Sequence, residues 1–157
     1  MVKRGQIRNA AQAQQLRDFS DLCWGKITPT DIDAYVEFGD RLFVFIEAKH
    51  SGAEMRYGQK LGLERLCDAC GRAPKIAVLL LLWHDQKPQD VVFYGELPVV
   101  RFRYRGLWRT PNRPVTAREF IDEMKKYAEG QAKAPFEDAE EKVRDSRFCP
   151  CCGLLEF

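Results

Sequence analysis

The sequence predicts an α/β fold, in which a β-sheet has helices packed against it. Two observations lead to this class. Segments with helical and strand patterns follow one another in the order helix, β-hairpin, helix and strand. The last of these segments, residues 75–83, begins with Lys75 and continues as an unbroken apolar run rich in Ile, Val and Leu, which is typical of a central strand buried on both faces.

Length and composition indicate one domain with a small appendage. The chain has 157 residues, of which 45% are hydrophobic and 31% charged, as in soluble globular proteins. We expect a domain over residues 1–130 and a polar linker with a cysteine-rich tail over residues 131–157. No segment approaches the roughly 20 apolar residues of a membrane span, and the first residues lack the apolar core of a secretory signal. The sequence therefore predicts a cytoplasmic protein with no membrane partner.

The first part of the chain predicts a helix and then a β-hairpin. Residues 7–22 are rich in Ala, Gln and Leu, with apolar residues at helical spacing. Residues 31–38 and 42–49 have strand composition and are predicted to pair. Gly39 and Asp40 lie between them and suit the turn of a hairpin.

A second helix and three strands are predicted next. The helix covers residues 53–70 and ends at Gly71, a typical residue after the last helical turn. The central strand at residues 75–83 follows. Shorter strands are predicted at residues 91–94 and 99–104 from their β-branched and aromatic side chains.

The third helix has a clear start signal. Residues 110–114 contain Pro and Arg and are predicted to form a loop. Thr116 is then expected to cap a helix that runs to about Glu129, and Glu119 completes a capping box. Residues 130–147 are polar and poor in aromatics, which indicates a mobile linker or a frayed helix.

Four ionisable groups are predicted to meet on the hairpin. Side chains alternate between the faces of a strand, so Asp31 and Asp33 share a face, as do Glu47 and Lys49. Crowded carboxylates beside the apolar residues 44–46 would repel one another, and a hard divalent cation relieves that conflict. The alternative is an edge hairpin whose charges face solvent.

This hairpin resembles the catalytic motif of the PD-(D/E)XK nuclease superfamily, especially its restriction-endonuclease-like and Holliday-junction-resolvase-like branches. The family pattern is an Asp on one strand, followed on the next strand by Asp or Glu, any residue, and Lys. Asp33, Glu47 and Lys49 match it residue by residue. Asp31 occupies a position where related sequences often carry another acidic residue, and Gln59 fits a Gln that many members have in the following helix. The resemblance covers slightly over half of the chain.

The resemblance implies a fold and an activity. The fold would be a restriction-endonuclease-like mixed β-sheet flanked by helices. The activity would be metal-dependent hydrolysis of phosphodiester bonds in DNA. Asp33 and Glu47, with help from Asp31, would hold Mg²⁺ or Mn²⁺, Lys49 would orient the attacking water, and Gln59 would position the metal-bound water or Lys49.

The match to the family is incomplete. Some members add a Glu from the first helix, where this chain has Gln14, Gln15 and Asp18, so that element is altered or absent.

The alternative reading is a catalytically inactive adaptor of the same fold that binds nucleic acid or protein and is stabilised by zinc. Paired cuts in a duplex need two sites, so a homodimer is compatible with the enzyme, although the sequence does not require one.

Basic residues are candidates for contacts to DNA. Arg101, Arg103 and Arg105 alternate with aromatic residues, so one strand is predicted to present three guanidinium groups on one face. The alternative is a solvated strand face whose arginines pair with the acidic tail. Lys60 and His50 lie close in sequence to the proposed site and are further candidates for phosphate contacts.

The cysteines form two C-x-x-C-G sequences. Cys67 and Cys70 belong to the first, and Cys149 and Cys152 to the second. Four thiolates at this spacing suit a structural Zn²⁺ site that would anchor the tail on the second helix. The alternatives are ordinary cysteines at a helix end and, less consistent with the surrounding pattern, a redox pair.

Overall fold

The computed structural model describes residues 21–88, 90–133 and 135. The chain divides into two units, residues 1–30 and 31–157. In the described part of the first unit, Trp24 and Ile27 exchange backbone hydrogen bonds of 2.9 and 3.1 Å. The predicted first helix and the predicted linker and tail lie almost entirely outside the described residues.

The described part of the second unit is a five-stranded mixed sheet with two α-helices. Strands β1 to β5 lie side by side in chain order; β2 and β3 are parallel, and the other neighbours are antiparallel. The predicted α/β class with a mixed sheet is therefore confirmed. The elements are β1 (Ala34–Phe38), β2 (Leu42–His50), α1 (Tyr57–Cys70), β3 (Ile76–His84), a 3₁₀-helix (Tyr94–Glu96), β4 (Val99–Tyr104), β5 (Leu107–Arg109) and α2 (Ala117–Ala128).

Two tight turns set the register of the antiparallel strands. Between β1 and β2, Gly39 and Asp40 both have φ of 58°, and the Arg41 amide donates to the Phe38 carbonyl at 3.1 Å. Two successive positive φ values define a type I′ turn, whose twist matches that of paired strands. This confirms the predicted turn. Arg105 and Gly106 form the second such turn, between β4 and β5, with φ of 50° and 79°.

The alternating side chains of the sheet separate two apolar cores. On one face, Phe45, Leu79 and Leu81 pack with Leu63 and Cys67 of α1. On the other face, α2 contributes Phe120 and Met124 to a larger core. The sheet residues of that core include Val44, Ile46, Leu80, Leu82 and Phe102. Because each helix covers a different face, β3 is buried on both sides, as its composition predicts.

Three predicted boundaries shift for identifiable reasons. Helix α1 begins at Tyr57 instead of residue 53, and Arg56 before it is extended, with ψ of 147°. Strand β1 begins at Ala34 instead of residue 31, because the Asp33 carboxylate accepts the Ala48 amide hydrogen bond that further strand pairing would use. Strand β2 continues to His50, which pairs with β3.

The predicted strand at residues 91–94 is wrong. Residues 91–93 have no strand partner among the residues that the structure describes, and the segment ends in the 3₁₀-helix at Tyr94–Glu96. Val91 and Phe93 are largely exposed, so their β-forming side chains are not used in the sheet. Strand β5, which was not predicted, has only three residues and depends on the turn before it for its position.

No helix within the described residues is both long and apolar enough to cross a lipid bilayer.

The predicted capping box of α2 is confirmed. The Thr116 hydroxyl accepts a hydrogen bond from the Glu119 amide at 3.3 Å, and the Glu119 carboxylate accepts one from the Thr116 amide at 2.9 Å. The two bonds satisfy donors that the first turn of a helix otherwise leaves unpaired. They fix the start of the helix that covers the larger core.

Replacing the capping threonine tests this assignment. We expect Thr116→Ala to lower the free energy of unfolding by about 1 kcal/mol, because the Glu119 amide loses its acceptor. Urea denaturation followed by circular dichroism measures the change. The matched control is Thr110→Ala, in the exposed loop before the helix, and equal losses in both variants would contradict the assignment.

Candidate active site

The candidate site lies where β1 begins and β2 approaches its carboxyl end. Ala34 pairs with Ile46 across the hairpin, so the next pair along the register is Asp33 and Glu47. The Asp33 carboxylate accepts a hydrogen bond of 2.8 Å from the Ala48 amide. This bond ties the first acidic residue of the predicted motif to the strand that carries the second.

Glu47 is a buried carboxylate with partners on only one oxygen. Its exposed fraction is 1%. Oε1 accepts a hydrogen bond from Gln59 Nε2 at 2.7 Å and lies 2.5 Å from Lys49 Nζ. Oε2 is buried and has no hydrogen-bond partner among the described residues. A buried carboxylate oxygen without a partner is costly, so this atom marks a place where a cation or a donor is missing.

Lys49 and Gln59 complete a closed network with Glu47. The Lys49 ammonium donates to Gln59 Oε1 at 3.1 Å, while the amide group of the same Gln donates to Glu47. Gln59 lies in the first turn of α1, which packs on the face of β2 that carries Glu47 and Lys49. The structure therefore brings together three residues that the sequence motif selected, from two separate elements.

The charge balance at Glu47 favours added positive charge. Burial is the largest effect and raises the pKa of Glu47, and the charge of Asp33 raises it further. Lys49 and Gln59 act in the opposite direction, but the pKa of the Glu47 carboxyl remains above its ordinary value. Burial, more than the charge of Asp33, thus disfavours the ionised form of Glu47, and added positive charge beside it would offset that effect.

The donor set fits a hard divalent cation held by few protein ligands. Two carboxylates and a main-chain carbonyl, with water in the remaining positions, suit Mg²⁺ or Mn²⁺. The unpartnered Oε2 of Glu47 is the observation in favour of this fit. Within the described ranges, no group of three or more His, Cys, Asp or Glu side chains is arranged to hold a metal ion. A site here would therefore use only the two carboxylates of the motif.

Three other predicted residues lie around this network without joining it. Asp31 is exposed and precedes Asp33 by two residues. Lys60 forms a 3.8 Å ion pair with Glu64 one helical turn further along. His50 follows Lys49 on β2, so alternation turns it to the opposite face, where its ring meets that of His84 edge-on at 5.6 Å.

Arg103 has a structural contact that the sequence did not indicate. Its guanidinium donates to both carboxylate oxygens of Asp68, at 2.9 and 2.6 Å, and lies 3.8 Å from Glu64 Oε1. Glu64 is itself buried and accepts the indole N–H of Trp108 at 2.5 Å. Arg103 thus links β4 to α1, and its side chain is only 11% exposed.

The prediction of three arginines on one strand face is wrong. Strand β4 ends at Tyr104, and Arg105 lies in the following turn. Its guanidinium lies over the Tyr104 ring and 3.3 Å from the Tyr127 hydroxyl, on the α2 side of the sheet. Arg101 remains on the α1 side, with its guanidinium 5.3 Å from the centre of the Trp108 ring.

Of the four predicted zinc ligands, only Cys67 and Cys70 lie within the described residues. Cys67 is buried in the core beneath α1, and burial raises the pKa of its thiol to about 12. This environment favours the neutral thiol and opposes a redox role for Cys67. Cys70 is half-buried, and Cys149 and Cys152 lie outside the described residues. The structural Zn²⁺ site therefore stays a prediction.

Tyr94 is a nearby residue that sequence reasoning missed. Burial raises the pKa of its hydroxyl, and the charges of Asp33 and Glu47 raise it further. The residue lies in the 3₁₀-helix, far from the hairpin in sequence. No local pattern could place it within the electrostatic influence of both carboxylates, since that proximity depends on the path of the loop after β3.

No family model, curated protein or solved structure matches this chain. The resemblance to the PD-(D/E)XK superfamily therefore stays a prediction that rests on the motif.

A double-mutant cycle tests whether the network is coupled by burial. We expect Glu47→Gln and Lys49→Met to show a coupling energy of about 1.5 to 3 kcal/mol in urea denaturation, because the pair is desolvated. The Asp40 and Lys75 pair is the control, with the same distance of 2.5 Å but side chains 74% and 41% exposed. There the cycle should give about 0.2 to 1 kcal/mol. Equal values for both pairs would refute the burial argument.

Proposed function

We propose that this protein is a metal-dependent nuclease that hydrolyses phosphodiester bonds in DNA by a PD-(D/E)XK mechanism. The observation that carries the proposal is the network of Glu47, Lys49 and Gln59 beside Asp33, with one buried carboxylate oxygen left unpartnered. A purely structural ion pair does not need a second carboxylate next to it. A second carboxylate, here that of Asp33, is however useful for binding a cation.

Each acidic residue of the site would have its own role in binding the metal. Asp33 and Glu47 would hold the metal through their carboxylate oxygens. When bound, Mg²⁺ or Mn²⁺ supplies a lowered pKa for its water and polarises the scissile phosphate. Asp31, two residues before Asp33, would add negative charge at the edge of the site.

Lys49 would orient the attacking water and stabilise charge that develops on the phosphate. Its ammonium has three N–H groups, of which one donates to Gln59 Oε1 and one is directed to Glu47. The third is left for a water or a phosphate oxygen, and the side chain is 23% exposed, so solvent reaches it. Gln59 would hold the ammonium in place by bonding both Lys49 and Glu47, which reduces the reorganisation needed during the reaction.

A basic side chain on the same sheet face supports a nucleic-acid substrate. Glu47 pairs with Leu81, and Leu81 pairs with Arg101, so the three residues form one row across β2, β3 and β4. Two strand spacings separate the ends of this row, or about 10 Å. This spacing is between backbones, and the Arg101 guanidinium lies over the Trp108 ring of β5, from which it would contact a more distant phosphate of the same DNA.

Removal of the ammonium tests the mechanism. We expect Lys49→Ala to reduce cleavage of DNA in Mg²⁺ by at least about 100-fold, since the water loses its orienting group. The assay uses supercoiled, linear and branched DNA with Mg²⁺, Mn²⁺ or EDTA, and circular dichroism confirms folding. Lys75→Ala, an exposed lysine paired with Asp40, is the control. Cleavage by Lys49→Ala at the rate of the unaltered protein would disprove the mechanism. Retardation of DNA without cleavage, indifferent to metal, would instead select the inactive adaptor.

Metal binding can be tested apart from cleavage. We expect Mg²⁺ or Mn²⁺ to raise the thermal midpoint of the unaltered protein by several degrees, because a ligand that binds only the folded state stabilises it. Asp33→Asn should abolish this rise. Asp122→Asn is the matched control, because Asp122 is an exposed carboxylate on α2 that pairs with Arg118 and belongs to no part of the proposed site. A rise that persists in Asp33→Asn would place the cation elsewhere.

A further inference from the structure

A second recess lies where β3 ends, and the proposed mechanism does not use it. It is a cavity of about 340 Å³. Four of its lining residues, 83–86, lie at the end of β3 or directly after it. The other four come from the segment between β3 and β4, which contains the 3₁₀-helix and was wrongly predicted to form a strand at residues 91–94. The lining residues are Trp83, His84, Asp85, Gln86, Phe93, Glu96, Leu97 and Pro98.

The cavity begins directly beside the candidate active site. In the parallel ladder of β2 and β3, Lys49 pairs with Trp83 and His50 pairs with His84. Trp83 therefore lies one strand spacing, or about 4.8 Å, from the backbone of the proposed catalytic lysine and on the same face, while His84 lies with His50 on the opposite face. A DNA strand with its phosphate at Lys49 has a neighbouring nucleotide within reach of this recess.

Three of the lining side chains carry buried polar atoms that lack a partner. Trp83 Nε1, His84 Nδ1 and Gln86 Oε1 make no hydrogen bond among the described residues. The indole is a donor, the amide oxygen is an acceptor, and the imidazole nitrogen can be either. Unpaired buried groups are costly, so their presence in three side chains that line one recess favours a ligand or ordered water with both donors and acceptors there.

The remaining lining residues favour a flat, uncharged ring. Phe93 is 63% exposed, which leaves one face of an aromatic ring available at the recess. Asp85 and Glu96 bring two carboxylates to the lining, so a phosphate group would be repelled. A nucleobase has the required combination, with a π-face for stacking and an edge of donors and acceptors.

We propose that this cavity receives one unpaired nucleobase of the bound DNA, next to the phosphate held at Lys49. The inference rests on the proposed nuclease function and narrows its substrate to DNA with an unpaired or extruded base beside the cleavage point. A base must leave the duplex stack to enter such a recess, which costs a few kcal/mol unless it is already unpaired. Single-stranded ends, flaps and mismatches are thus bound in preference to a perfect duplex.

Binding measured without cleavage tests this proposal. The full-length unaltered protein is titrated, in EDTA to prevent cleavage, with a fluorescein-labelled duplex that carries a single-stranded overhang, in which one abasic residue is moved along the overhang. Fluorescence anisotropy should show one position at which the abasic residue weakens binding about tenfold, the value for loss of one base stack on an aromatic ring. Adding Phe93→Ala should remove that positional loss.

Val91→Ala supplies the matched control, because Val91 is 70% exposed in the same loop and does not line the cavity. Its scan should equal that of the unaltered protein. A flat scan with DNA still bound overturns the base site and leaves the nuclease proposal intact, the recess then holding only water. A positional loss that survives Phe93→Ala also overturns it. Failure to bind any DNA overturns both proposals.

Discussion

The half-satisfied carboxylate of Glu47 is the interaction on which the candidate site depends. Burial of this group is unfavourable by itself, and Lys49 and Gln59 compensate only one of its two oxygens. Replacing a buried ion pair by apolar side chains of similar volume is often neutral or stabilising. Glu47 and Lys49 nevertheless lie towards the carboxyl end of the otherwise apolar strand β2, with Gln59 of α1 over them. This arrangement favours the proposed metal site, since a bound cation would satisfy the remaining oxygen.

The order of the strands explains why this group can be assembled. Parallel β2 and β3 must be joined by a crossover, and α1 is that crossover. Its first turn consequently lies over the carboxyl end of β2, which brings Gln59 to Glu47 and Lys49. The hairpin supplies Asp33 from the other side, through a type I′ turn that fixes its register. Two local connections thus position side chains from three elements.

Local signals in the sequence were sufficient for most of the fold and for the centre of the site. The Gly39 and Asp40 turn, the buried run of β3 and the capping box of α2 each depend on neighbours in the chain, and each is confirmed. The missed features depend on distant contacts. Residues 91–94 have strand composition but find no free strand edge, and Arg103 is held by Asp68 on another element. Alternation alone could not reveal that Arg105 leaves its strand at a turn.

Glu64 and Glu47 are both buried, but their carboxylates have different sets of partners. Glu64 Oε1 accepts the indole N–H of Trp108 and has two cationic groups at 3.8 Å, so its charge is shared among three elements. Glu47 has one ammonium and an unpartnered oxygen. Of the five buried polar atoms without a partner among the described residues, four belong to Glu47, Trp83, His84 and Gln86, towards the carboxyl ends of β2 and β3. Random imperfections in packing would be scattered over the molecule. Their concentration towards one edge of the sheet instead supports the two proposals, in which one ligand contacts both the acidic network and the neighbouring recess.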